Sequence, residues 1–345
     1  MNFNQAPAPF LKPLTSVGAI MRQVLYALMP ATIAYVWFFG WGIVIQMLIA
    51  VVFALAAEAM MLSLRGKPLR PFLGDCSALI TAVLLAWALP PTAPWWLAAV
   101  GVIFAIVFAK HLYGGLGYNV FNPAMAGYVV LLISFPQQMT QWIAPDFLIG
   151  ESVRLSFMET LQAIFAGFPA GTDIDAVTAA TPLDHLRTQL SQGAAIQEIT
   201  THPIYGMAAG HGWEWIGVFL LLGGAWLMYR RVIKWQIPAG VLLGLGGLAA
   251  IFWFIDPSTH ASPLFHVFSG AAILGAFFIA TDPVSAPASD KGRLIYGLCI
   301  GVLVYVIRAW GGYPDGIAFA VLLMNMAAPF IDHYTKPRTY GHERP

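Results

Sequence analysis

Long apolar runs, separated by short polar turns rich in Gly and Pro, set the rhythm of this chain. Ten runs approach the roughly 20 apolar residues that a helix needs to cross a bilayer core. They cover residues 24–40, 42–62, 72–89, 95–110, 120–135, 212–229, 237–255, 264–280, 294–308 and 316–331. The pattern predicts an all-α polytopic membrane protein of ten transmembrane helices. One long polar stretch separates the fifth run from the sixth, so the chain divides into a five-helix unit (1–135), a polar loop (136–211) and a second five-helix unit (212–345).

Composition agrees. Apolar residues are 59% and charged residues 10% of the chain, against roughly 25% charged in soluble domains, and the mean hydropathy is +0.73. The partner implied by this surface is the lipid bilayer, and the net charge of +1 gives no sign of nucleic acid.

The placement of Lys and Arg is more informative. If all ten runs cross, Lys12, Arg22, Arg65, Lys67, Arg70, Lys110, Arg230, Arg231, Lys234, Lys291, Arg293, Lys336, Arg338 and Arg344 share one side. The 136–211 loop falls on the other, with Asp146, Glu151, Glu159, Asp173, Asp175, Asp184 and Glu198 against Arg154 and Arg187. Cytoplasmic loops are the ones enriched in Lys and Arg, which places both termini inside and the acidic loop outside. Arg308, near an outer end, is the exception. Trp41, Trp95, Trp96, Trp142, Trp213, Trp215 and Trp310 cluster at run ends, where amphipathic rings anchor in the interface. Residues 1–15 are Pro-rich and polar, unlike a cleavable signal peptide, so the first helix is expected to direct insertion. Cys76 and Cys299 lack CxxC or CxxH companions, which argues against a zinc or iron-sulfur site held by this chain alone and against a disulfide framework.

A set of landmarks occurs twice. From Ser77 to Ala124 the chain has a run ending Ala88-Leu89-Pro90-Pro91, another ending in Lys110, then Gly114-Gly115 and a third run. From Ser269 to Ala320 it has a run ending Ala280-Thr281-Asp282-Pro283, another ending in Arg308, then Gly311-Gly312 and a third run. The charge rule puts Pro91 outside and Pro283 inside, so the copies run in opposite directions. A 5+5 inverted repeat of this kind is similar to the urea-transporter architecture, and such repeats place broken helices and ligands near the midplane. The Gly-rich turns Gly114-Gly115-Leu116-Gly117 and Gly311-Gly312 let backbone N–H groups approach a flat or anionic ligand, or simply let helices pack closely.

Polar groups at membrane depth are functional candidates by default. Glu58 lies in the second run and either serves an ion path or snorkels to pair with Arg65 or Lys67. Asn119, Asn122 and Asn325 suit broken backbone. Glu58, Asn119 and Asp315 are the ion-path candidates. His260 and His266 read as ordinary loop histidines, no metal ligands are assigned, and no residue is assigned a catalytic role.

Within the polar loop, Thr181-Pro182-x-Asp184 is a strong helix start: Thr as N-cap, Pro at the first helical position, an acid in the first turn, and a helix expected to about Leu190. The stretch before it, Asp175-x-x-Thr178-Ala179-Ala180-Thr181, resembles the D-x-x-[ST]-G-A-T motif at which a flavin transferase joins the phosphate of FMN to the last Thr hydroxyl. With the Pro-Leu that follows, Ala280-Thr281-Asp282-Pro283-Val284 and Arg65-Gly66-Lys67-Pro68, the chain resembles the RnfD/NqrB family over nearly its full length. Those proteins are membrane subunits of the Rnf and Na+-pumping NADH:quinone oxidoreductase complexes. Ala179, where many members have Gly, is the departure.

The resemblance implies a redox relay subunit of a bacterial inner-membrane ferredoxin:NAD+ oxidoreductase that couples electron flow to Na+ or H+ transport, its flavin loop periplasmic. It implies FMN bound covalently to Thr181, with Asp175, Thr178 and Ala180 completing the attachment motif, and a second, noncovalent flavin such as riboflavin in the helix bundle. Its implied partners are the other Rnf subunits, including a second FMN-bearing subunit and iron-sulfur subunits, and a flavin transferase for maturation. The chain has no G-x-G-x-x-G fingerprint between a strand and a helix, so NAD chemistry belongs to partners. A solute channel without a redox role and an NqrB-type quinone reductase subunit are the competing readings.

Overall fold

The computed structural model describes residues 16–145, 148, 155–169, 177–313 and 315–336. Helices dominate it. We label the main ones α1 (Val17–Phe39), α2 (Gly42–Leu64), α3 (Ser77–Ala88), α4 (Trp95–Phe104), α5 (Pro123–Ser134), α6 (Phe157–Ala166), α7 (Pro182–Ser191), α8 (Trp213–Tyr229), α9 (Gln236–Ile255), α10 (Pro263–Phe268), α11 (Asp290–Trp310) and α12 (Ile317–Thr335). Among the described residues, six helical segments are long and apolar enough to cross a membrane, counting Leu69–Ala88 as one. The protein is a multi-pass, all-α membrane protein.

The expected runs at 95–110, 120–135 and 212–229 are shorter helices: Trp95–His111, Pro123–Ser134 and Trp213–Tyr229. Two others are interrupted. The 264–280 run is not one helix: α10 stops at Phe268, Gly270 turns left-handed at φ +61°, and helix resumes at Ala272–Leu274 before a π-helical stretch, Gly275–Ile279. Glycine takes that backbone conformation without steric cost. The 72–89 run breaks in the same manner between Leu69–Leu73 and α3, with Cys76 at φ 62°. Asp75 holds that break, its carboxylate accepting from the backbone N–H of Ser77 at 2.7 Å and from the hydroxyl at 2.6 Å. A second π-helical stretch, Ala105–His111, ends the helix that begins as α4. Such stretches concentrate at functional sites.

Small residues let the long helices touch. Along α9 and α11, Gly240, Gly244, Gly297 and Gly301 interleave, so that a Cβ on Gly240 would stand 2.8 Å from the Leu294 carbonyl oxygen and one on Gly297 2.5 Å from that of Ile237. Gly244 and Gly301 face the carbonyls of Leu298 and Val241 still more closely. Lipid offers no hydrophobic gain for bringing helices together, and close backbone approach supplies the attraction instead. The two halves are tied at depth by asparagines. Asn122 N-caps α5 and donates from its amide to the Ile279 carbonyl at 3.3 Å, while its backbone N–H donates to Asn325 Oδ1 at 3.0 Å. Asn325 in turn donates to the Tyr296 hydroxyl at 2.7 Å.

Gly301→Leu is therefore expected to push α9 from α11 and lower the detergent-solubilised melting temperature sharply. Gly247→Ala, where nothing lies within 4 Å of the added methyl, is expected to leave it unchanged or raise stability by about 0.5–1 kcal/mol. Melting curves of the two variants side by side check the packing.

Candidate functional site

Three local devices fix residues 177–184. Residues 142–144 and 177–179 pair as a short antiparallel bridge: the Ala179 N–H donates to the Trp142 carbonyl at 2.9 Å, and the Ala144 N–H to that of Val177 at 3.0 Å. Thr181 then caps α7, its hydroxyl oxygen accepting from the Asp184 N–H at 3.3 Å. Finally, Leu183 and Leu186 on α7 bury against Ile199, Ala209, Ala261 and Phe265, which docks the helix onto α10.

Around the first turn of α7, the Tyr205 hydroxyl donates to the Pro182 carbonyl at 3.3 Å and lies 2.9 Å from His185 Nδ1. Partial burial, then the neighbouring His202, lower the pKa of His185, with Asp184 opposing.

These devices set Thr181 on the rim of an open cavity of about 1240 Å³. Its wall is aromatic: Trp87, Trp142, Trp213, Tyr128 and Phe268 face it. Trp142 and Trp213 meet edge to face with centroids 5.6 Å apart, and Tyr35 bridges Trp213 and Trp87 at 5.7 and 5.4 Å. Trp142 and Trp213 are half-buried at this wall, whereas Trp41, Trp215 and Trp310 are exposed. The floor is the Ser269-Gly270-Ala271 break with Asp315 beside it.

One ion pair holds that floor. Arg308, buried, donates from Nε to Asp315 Oδ1 at 3.1 Å, from Nη2 to the Ser269 carbonyl at 2.9 Å and from Nη1 to the His266 carbonyl. Asp315 Oδ2 accepts the Ala271 N–H at 2.7 Å. The exception to the charge pattern is accordingly an interior residue. His266 is buried on α10 and is not a loop histidine.

The cavity suits a planar aromatic ligand with a polar edge. Rings line it, and two of its lining residues, Trp87 and Ser269, each carry a buried polar atom, Nε1 and Oγ, with no hydrogen-bond partner among the described residues. FMN has that chemistry.

Of the residues singled out in sequence, Thr181 and Asp315 meet at this cavity. Thr178 lies in the bridge and Ala180 is exposed beside the rim. Asp175 lies outside the described residues. Glu58 and Asn119 belong elsewhere. Glu58 does not pair with Arg65 or Lys67; both its oxygens accept from Lys110 Nζ at 2.8 Å, and His111 Nε2 stands 3.1 Å away. The π-helical turn presents Lys110 and His111 to the same carboxylate. Lys110 also donates to the Ser77 hydroxyl at 2.9 Å, and Arg65 instead reaches His111 and the Gly114 carbonyl. Lys110, Ser77, Asn119, Asn122 and Asp282 line a second cavity of about 850 Å³. In the sequence Lys110, Asp282 and Ser269 serve only as landmarks, and Trp87 not at all; none was singled out there as a site residue. A basic residue ending an apolar run was the available signal for Lys110; the other three needed the fold.

Residues 4–341 match the NQR2, RnfD, RnfE family. The chain is 54% identical over 345 residues to a subunit of the ion-translocating oxidoreductase complex of Alcanivorax borkumensis, covering 99% of this chain and 98% of that protein. It is 51% identical over 352 residues to the protein of the same description in Aliivibrio salmonicida and 49% over 353 in Escherichia fergusonii, with 100% of both chains covered in each.

Glu58→Gln or Lys110→Met alone leaves a buried charge without its partner and is expected to cost about 3–5 kcal/mol, while the double variant recovers most of that loss. A double-mutant cycle on thermal unfolding in detergent reads the coupling directly.

Proposed function

The chain belongs to the NQR2, RnfD, RnfE family, and from that premise we propose that it is the membrane subunit of a redox-driven ion translocase that relays electrons through FMN esterified to Thr181. The observation that carries this reading is the position of the Thr181 hydroxyl: last in its motif, first at a helix N-terminus, and on the rim of an aromatic cavity. A helix N-terminus favours the negative charge of a phosphodiester through its free N–H groups and its dipole. When bound, FMN supplies one-electron transfer that protein side chains do not offer. The residues of the chain do the rest. Thr181 tethers, Trp142 and Trp213 supply aromatic wall, and the Arg308–Asp315 pair keeps its floor in place.

The relatives described as subunits of an ion-translocating oxidoreductase complex support the assignment to an Rnf-type ferredoxin:NAD+ oxidoreductase, whose other subunits bring a second FMN, iron-sulfur clusters and the NAD site. A flavin transferase completes maturation. The Lys and Arg distribution supports a bacterial inner-membrane orientation with cytoplasmic termini and a periplasmic flavin loop at 136–211.

An inverted 5+5 repeat of ten segments (1–135 and 212–345) draws support from two matched features. Left-handed residues, Cys76 and Gly270, break helix within two residues of the start of each copy. The basic residue that ends the second run of each copy reaches the serine that opens that copy, Lys110 donating to the Ser77 hydroxyl and Arg308 to the Ser269 carbonyl. In this reading the second cavity is the seat of a noncovalent flavin, and Glu58, Asn119 and Asp315 lie along the path of Na+ or H+.

The test is in-gel flavin fluorescence of the denatured chain made in cells with a flavin transferase. A fluorescent wild-type band and a dark Thr181→Ala band are expected. A dark wild-type band would overturn the relay and favour a solute channel of the same architecture.

A further inference from the structure

Trp87 and Ser269 come from different halves of the chain, the end of α3 and the break after α10, yet both line the cavity at Thr181. They are 6% and 1% exposed, and Trp87 Nε1 and Ser269 Oγ are without partners among the described residues. Buried polar side-chain atoms are nearly always hydrogen-bonded in folded proteins, so two unpaired ones on residues that line one cavity point to something that binds there. Two neighbouring backbone groups are already engaged: the Ser269 carbonyl accepts from Arg308 and the Ala271 N–H donates to Asp315. Helix α7 rests directly on this break. A Cβ on Gly270 would stand 2.7 Å from Leu183 Cδ1, two residues beyond Thr181. The attachment residue and the unpaired atoms are thereby held in one structural unit.

We propose that Trp87 and Ser269 bind the polar edge of the flavin ring system whose phosphate is carried by Thr181. This rests on the reading of Thr181 as the attachment residue. The chemistry of each side chain matches. The dioxopyrimidine edge of a flavin presents carbonyl, N–H and carbonyl in order. An indole N–H only donates and so meets a carbonyl, whereas a serine hydroxyl both donates and accepts and so meets either group. The aromatic walls contributed by Trp142 and Trp213 suit the faces of the ring. Negative charge on a reduced flavin collects on this edge, and hydrogen bonds to charged acceptors are stronger than those to neutral ones. Trp87 and Ser269 are therefore positioned to favour the reduced cofactor.

The test uses the full-length chain, made with a flavin transferase, as wild type, Trp87→Phe, Ser269→Ala and the control Trp215→Phe, an exposed position outside the cavity. Loading is read first, as fluorescence of the denatured band, and reductive titration of the native chain follows. The expected result is wild-type loading in all four, with the reduced-to-oxidised ratio at the wild-type midpoint falling roughly three- to ten-fold in Trp87→Phe and Ser269→Ala and unchanged in Trp215→Phe. Full loading with wild-type midpoints in the first two would overturn this assignment and leave Thr181 attachment standing. An unlabelled wild-type chain would overturn both. Trp87→Phe keeps an aromatic ring and removes only the N–H donor side, so it decides the matter if Ser269→Ala does not fold.

Discussion

Inside a bilayer a backbone N–H or C=O has no water to turn to, and each must find its partner within the protein. Everything distinctive about this fold follows from how it meets that demand where helices are broken. At the Ser269-Gly270-Ala271 break, Arg308 satisfies the carbonyls of His266 and Ser269 while Asp315 satisfies the N–H of Ala271. One ion pair thus secures both loose ends. Because the charges offset each other, the break stays open as the floor of a cavity without leaving an isolated charge in a low-dielectric surrounding.

The described part of the polar loop is built onto that floor. Its motif segment is fixed by the bridge to residues 142–144, by the Thr181 cap and by the apolar face of α7 against α10. Each interaction is modest alone. Together they bring a hydroxyl from the loop, three tryptophans from separate helices and loops, and the broken helix to one place. Beside the second cavity, which Lys110 lines, the same economy of charge holds: Glu58 is met by Lys110 and His111, both delivered by one π-helical turn. Asn122 and Asn325 lie between the halves, and their hydrogen bonds join α5 to the π-helical end of the interrupted segment.

The sequence by itself determined a great deal. Apolar runs of membrane length demand helices in lipid, so the all-α, multi-pass class follows from hydropathy alone. Thr181, Pro182 and Asp184 dictate the start of α7 because cap, ring and acid act on the backbone within one turn. Local chemistry of this kind is legible wherever it needs no distant partner.

The tertiary structure decided the pairings. Nothing in the spacing of Glu58 tells that its counter-ion is Lys110, 52 residues on, rather than nearby Arg65, since the choice depends on which helices touch and on a π turn that shifts two side chains round the axis. Hydropathy equally misses the break at Gly270, because the residues on either side are as apolar as those of a continuous helix; only Arg308 and Asp315, folded back against it, make the interruption tolerable. Trp142 and Trp213 look in sequence like interface anchors, and Trp87 like one more apolar residue of its run. They become the wall of a cavity because elements far apart in the chain converge there, and convergence is a property of packing that no local pattern encodes.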